Sequence, residues 1–176
     1  MTTIQINPER FDSLAKEAIT HVFDFMISEK ATYAKSSLLK GPGDLGSDML
    51  PRLKEMADGY FTITVGFVGD AHGNIHLQLS RTLAERFAVK LLDVPSLEWI
   101  GEDSNEVLKD ALGELGNSLV GLVKGGMTKW HPNLMLTTPK VVANGRGKVN
   151  VDRLRFRKQY AFALMKSPIL VDLCYE

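Results

Sequence analysis

The run Tyr60-Phe-Thr-Ile-Thr-Val-Gly-Phe-Val68 constrains the fold of this chain more than any other segment. It is rich in β-branched and aromatic residues, which suit a pleated, half-buried strand. Gly69-Asp-Ala-His-Gly73 then supplies turn chemistry, and residues 74–80 alternate again through Ile75, Leu77 and Leu79. Two strands joined by so short a turn must pair antiparallel, so a β-hairpin is expected here.

Helical spacing flanks the hairpin on both sides. A first helix is expected over 8–29, with Asn7 as its cap, Pro8 in its first turn and Glu9 at the positive end of its dipole. Phe11, Leu14, Ala15, Ala18, Ile19, Val22, Phe23 and Met26 give it one apolar face. A short strand over 31–39 and a Gly- and Pro-bearing loop over 41–46 follow. Beyond the hairpin come a shorter helix over 82–92, closed by Val94-Pro95, and a second long helix over 103–125. Strands are expected at 134–143, over 149–165 as one long strand or two, and at 169–175, with a turn at 144–147. The sum is an α/β (α+β) sandwich: a mainly antiparallel sheet of about six strands, two long helices and one shorter one. No linker is long enough to separate two domains, so 1–176 is expected to be one, with a weak internal echo of long helix followed by strands.

Composition removes several function classes. Lys plus Arg (21) balance Asp plus Glu (21), which argues against a general polyanion binder, so no nucleic-acid partner is expected. The single cysteine, Cys174, excludes an internal disulfide and a zinc-finger framework. No apolar run approaches the ~18 residues of a membrane span, and the N-terminus lacks signal-peptide character. A cytoplasmic protein with no membrane partner is the expectation.

The second long helix carries the chemistry. Leu108, Ala111, Leu112, Leu115, Leu119 and Leu122 cluster on one side of a wheel turning ~100° per residue. Asp110, Glu114, Asn117 and Gly121 fall in one stripe, within roughly 60° of each other and away from the apolar centre. Such a stripe is also what a solvated helix face looks like. Gly113, Gly116, Gly121 and Gly125 add a second signal, since each costs roughly 0.8–1 kcal/mol relative to Ala. They are expected to mark close approach, by sheet backbone at Gly113 and Gly116 and by a partner at Gly121.

Asp110-x-x-x-Glu114-x-x-Asn117, followed after 21 residues by Pro139, resembles the signature of the CheX/CheC/FliY chemotaxis phosphatases. The spacing to the proline is one residue shorter than is commoner in that family. The hairpin and the helix sequence Asp110-Ala-Leu-Gly-Glu-Leu-Gly-Asn-Ser-Leu-Val-Gly121 are similar to the CheX-like branch, and the likeness runs from about Phe11 to the C-terminus. The resemblance implies a CheC-like sandwich that removes phosphate from the phospho-aspartate of a CheY-like response-regulator receiver. Asn117 would hold the attacking water, and Glu114 would pair with the receiver's lysine. An amide suits the first task because it both donates and accepts and brings no charge against the phosphoryl oxygens. Asp110 and Gly121 would make secondary contacts at most, and Pro139 would set strand geometry. The resemblance also implies a homodimer formed through sheet edges, and Mg²⁺ held by the receiver rather than by this chain. The competing reading is a non-catalytic binding or adaptor module of the same fold.

Other candidates are weaker. His72 and His76 span a turn and a strand, so their spacing places no pair of rings on one helical face. His21 and His131 are isolated, and Cys174 alternates with apolar residues like a buried strand position. Gly125-Gly126 reads as a helix exit, since no Walker pattern follows. Between Lys140 and Lys166 there are eight basic residues and one acid, Asp152. Arg153, Arg155 and Arg157 alternate there with apolar residues, as on a half-exposed strand that could steer an acidic partner.

Overall fold

Burial along the central hairpin follows its apolar positions: Phe61, Ile63, Val65 and Phe67 on one strand, Ile75, Leu77 and Leu79 on the other. The computed structural model describes residues 8–38, 56, 58–70, 72–144 and 156–175. In chain order these form α1 (Pro8–Ile27), β1 (Thr32–Leu38), β2 (Tyr60–Val68), β3 (Gly73–Ser80), α2 (Arg81–Leu92), a 3-10 segment (Leu97–Asp103), α3 (Ser104–Met127), β4 (Met135–Leu136), β5 (Lys140–Ala143), β6 (Phe156–Leu164) and β7 (Ser167–Tyr175). The expected loop at 41–46, the Asn7 cap and the turn residues 145–147 lie outside the described residues.

Among the described residues the strands make one antiparallel sheet in the order β1-β6-β7-β3-β2, with β4 and β5 both on the outer side of β2. The hairpin register sets Tyr60 opposite Ser80 and Phe67 opposite Gly73. Ser80 ends β3 and caps α2 at once, its hydroxyl accepting the Leu83 N–H at 3.2 Å.

The three helices cover one face of the sheet. Ile19 and Phe23 from α1, Phe87 from α2, and Leu112 and Leu115 from α3 join Ile63, Leu77, Tyr160, Phe162 and Val171 in the main core. Phe23 and Phe87 meet edge to face at 5.9 Å. A strand turns alternate residues to opposite faces, so Ala161 and Leu170 point the other way and pack with Met56 and Tyr60.

Two expectations need correction. The strand expected over 134–143 is broken into β4 and β5. Phe67 faces Leu136 whereas Thr64 faces Lys140, so three residues, Thr137 to Pro139, stand against two on β2. This is a bulge, and Pro139 fits it because the ring leaves no N–H to satisfy. The second correction concerns the basic run. Arg157 is buried in an ion pair across β6 and β7, its Nε donating to Asp172 at 3.0 and 3.1 Å, and Lys158 pairs with Asp12. A buried, paired guanidinium does not steer a distant partner. Arg153 and Arg155 lie outside the described residues.

Candidate active site

The helix α3 sits on β2 and β5 because one of its sides is apolar. Leu108, Ala111, Leu112, Leu115 and Leu119 are buried as their spacing requires, joined by Val120, Val123 and Met127, while Leu122 is half-buried. The helix runs on through Gly125 and Gly126 to Met127, so that glycine pair is not its exit. A Cβ on Gly126 would run into the Leu14 side chain of α1.

Asp110, Glu114, Asn117 and Gly121 are all exposed on the opposite side of α3. Glu114 and Asn117 are three positions apart, which on a helix means about 60° in direction and ~4.5 Å along the axis. Among the described residues, none forms a hydrogen bond or ion pair with the side chain of Asp110, Glu114 or Asn117. A carboxylate and a carboxamide therefore stand side by side, uncommitted, on a helix held from below by the core.

The glycines of α3 are not equivalent. A Cβ on Gly116 would lie 2.8 Å from Ile63 Cγ2, 2.9 Å from Pro139 Cβ and 3.1 Å from Pro139 Cγ. The approach expected there is real, and it is made by side chains of β2 and of the bulge. At Gly113, Gly121 and Gly125 a Cβ would meet nothing within 4 Å. The close approach expected at Gly113 is therefore absent, and Gly121 faces open space one turn beyond Asn117.

The bulge that carries Pro139 is itself pinned. Thr137 donates its N–H to the Gly66 carbonyl at 2.9 Å, and its hydroxyl accepts the Gly66 N–H at 2.8 Å. A side-chain oxygen thus stands in for the ladder carbonyl that the bulge displaces. Sequence reasoning placed Pro139 in a strand. That its ring lies against Gly116, beside Asn117, depends on a strand register that spacing does not specify.

The remaining titratable candidates lie elsewhere. His72 is exposed, whereas His76 is buried in β3 with its Nδ1 2.9 Å from Thr64 Oγ1. Burial pushes the His76 imidazole below its usual value, against the pull of Asp172 and with the help of Arg157. Cys174 is buried in β7, where burial pushes its thiol up to about 12, the opposite of an activated nucleophile. His131 is buried and His21 is exposed. Among the described residues, no group of three or more His, Cys, Asp or Glu could hold a metal ion. No described helix is long and apolar enough to cross a membrane.

A cleft of about 740 Å³ opens between α2 and the start of α3, lined in part by Arg81, Arg86, Lys90 and Asn105. It includes neither Glu114 nor Asn117, and its cations are engaged: Arg81 with Glu85, Lys90 with Glu29, and Arg86 with the Met165 carbonyl.

Comparison with known proteins adds three findings. The family model described as chemotaxis phosphatase CheX matches residues 61–162, a span that includes Asp110, Glu114, Asn117 and Pro139. No curated protein matches the sequence. Solved structures share the fold at low identity. A CheC-like superfamily protein from Shewanella sp. PV-4 has a TM-score of 0.72 at 19% identity, covering 97% of this chain and 99% of that one. A chemotaxis protein CheX from Desulfovibrio desulfuricans has a TM-score of 0.71 at 17% identity, over 94% and 99% of the two chains. The CheX of a CheX-CheY-BeF3-Mg²⁺ complex from Borrelia burgdorferi has a TM-score of 0.70 at 19% identity, over 94% and 97%.

Proposed function

This chain belongs to the chemotaxis phosphatase CheX family, and from that premise we propose that it hydrolyses the phospho-aspartate of a CheY-like response-regulator receiver. The observation that carries the reading is the exposed, uncommitted pair Glu114 and Asn117 on one face of α3, inside the matched span. The similar Borrelia burgdorferi protein was solved with CheY, BeF3 and Mg²⁺, a partner of the same chemical kind.

The division of labour follows from the side chains. Docking brings α3 against the receiver's phosphorylated pocket. Glu114 then meets the receiver's lysine in a charge-assisted contact that fixes the register of the two surfaces. Asn117 reaches the phosphoryl group and holds a water in line with the bond to be broken, its side-chain carbonyl accepting a hydrogen bond from that water, whose protons leave with the phosphate. The water oxygen bonds to phosphorus while the bond to the aspartyl oxygen breaks, leaving a free carboxylate and inorganic phosphate. Phosphoryl transfer needs positioning more than covalent help, so an oriented amide on a rigid helix suffices. Mg²⁺ would be held by the receiver's own acidic residues and would supply charge neutralisation for the phosphoryl oxygens there. Asp110 and Gly121 border the contact.

The deciding experiment is a decay assay with each phosphorylated receiver encoded in the same genome. Faster decay of at least one receiver supports the phosphatase. Tight binding to a receiver with unchanged decay supports the adaptor module instead. Homodimerisation through a sheet edge is part of the proposal, and sedimentation at the monomer mass contradicts it.

A further inference from the structure

We propose that the Pro139 ring, seated against Gly116, is a positioning element that sets the height of α3 over the sheet and so the reach of Asn117. The inference deepens the phosphatase reading above and rests on it.

Of Gly113, Gly116, Gly121 and Gly125, Gly116 alone has no room for a side chain. Alanine is the better helix residue, so glycine at this position answers to space rather than to propensity. What fills the space is specific: Ile63 from the central strand and two carbons of the Pro139 ring. Pro139 is a rigid stop, because its ring fixes φ and its bulge is held by the paired Thr137–Gly66 hydrogen bonds. Gly116 lies one residue before Asn117 and two after Glu114, so a displacement of backbone there reaches both side chains undiminished. Carbon atoms rest at about 3.5–4.0 Å, so a methyl group at 116 must lift or tilt the helix by on the order of 1 Å. A misplacement of ~1 Å can cost ~100-fold in rate. Docking tolerates more, since Glu114 ends a flexible side chain.

The test uses the receiver whose decay the wild-type chain speeds most. Gly116→Ala is expected to slow dephosphorylation by ~10- to 100-fold while affinity for the beryllofluoride-loaded receiver stays within about twofold. Adding Pro139→Gly removes two of the three contacts the new methyl meets and leaves Ile63 Cγ2, so it is expected to restore part of that loss although Pro139→Gly alone slows the wild type. Such non-additivity is the mark of a direct contact. A Gly116→Ala protein with wild-type turnover overturns the proposal, as does a loss of rate and affinity together that Pro139→Gly leaves unrepaired. If Gly116→Ala does not fold, Pro139→Gly alone takes its place; slower turnover at unchanged affinity supports the proposal and wild-type turnover overturns it. A wild-type chain that speeds no receiver sinks the phosphatase reading separately. The Asn117 side-chain amide resonance then decides the positioning claim: it should move in Gly116→Ala and return part of the way in the double variant, and an unmoved resonance overturns the claim.

Discussion

Glu114 gains its proposed role from what it lacks, since among the described residues no partner holds its carboxylate. A charge-assisted hydrogen bond of the kind proposed contributes about 1.5–3 kcal/mol. Glu114→Ala should therefore weaken receiver binding by roughly 10- to 100-fold and lower turnover with it, as titration calorimetry and decay rates would show. Unchanged affinity would remove the ion pair from the account. His76 makes a prediction of opposite character, because the fold favours its neutral form. Its folded value is depressed, chiefly by burial, so the unfolded chain takes up a proton first, near 6.5. The stability this gives is complete above about 6.5 and is lost as pH falls through the folded value. Urea midpoints at pH 7.5 and 5.5 should diverge more in wild type than in His76→Gln; equal divergence contradicts the assignment. The exposed stripe of Glu114 and Asn117 was legible in the sequence, because a helix repeats every 3.6 residues. The fate of His76 was not, because Thr64 and Asp172 reach it only through strand register.

At the scale of the element, α3 shows why equal residues in a sequence are unequal in a structure. Gly113 and Gly125 face open space, so alanine at either should stabilise the protein by about 0.5–1 kcal/mol through helix propensity. Gly116→Ala should instead destabilise by about 1–3 kcal/mol, the usual cost of overpacking. Urea unfolding of the three variants checks the contrast, and a stabilised Gly116→Ala would contradict the contact with Ile63 and Pro139. The limits of α2, β2, β3 and β7 were readable to within about two residues because their alternation or spacing is strong. The break at Thr137 to Pro139 was not, since the residues on both sides are good strand formers. What divides them is the Thr137 hydroxyl bonded to Gly66, a contact between segments far apart in the chain.

Over the whole molecule, the sheet has two covered faces, and only one of them was evident beforehand. The helices claim the face bearing Leu77, Tyr160 and Val171, while the other buries Arg157, Gln159, Asp172 and Cys174 among Met56, Ala161 and Leu170. Of the 149–165 expected as one long strand or two, the described part is β6, residues 149–155 lying outside the described residues. Alternation left open which side of it meets solvent, and so Arg157 was expected on a half-exposed strand. Removing one partner of a buried pair strands the other charge. Asp172→Ala should accordingly cost about 3–5 kcal/mol in urea unfolding, and a loss below about 1 kcal/mol would mean that water reaches the pair. This stability underlies the proposed function, because a helix that must aim two side chains into another molecule has to be held still. The most direct test compares wild type with Asn117→Ala on one phosphorylated receiver, measuring binding and decay together. The account predicts that Asn117→Ala binds within about twofold of wild type and speeds decay at least ~100-fold less. Equal acceleration by the two proteins would contradict it.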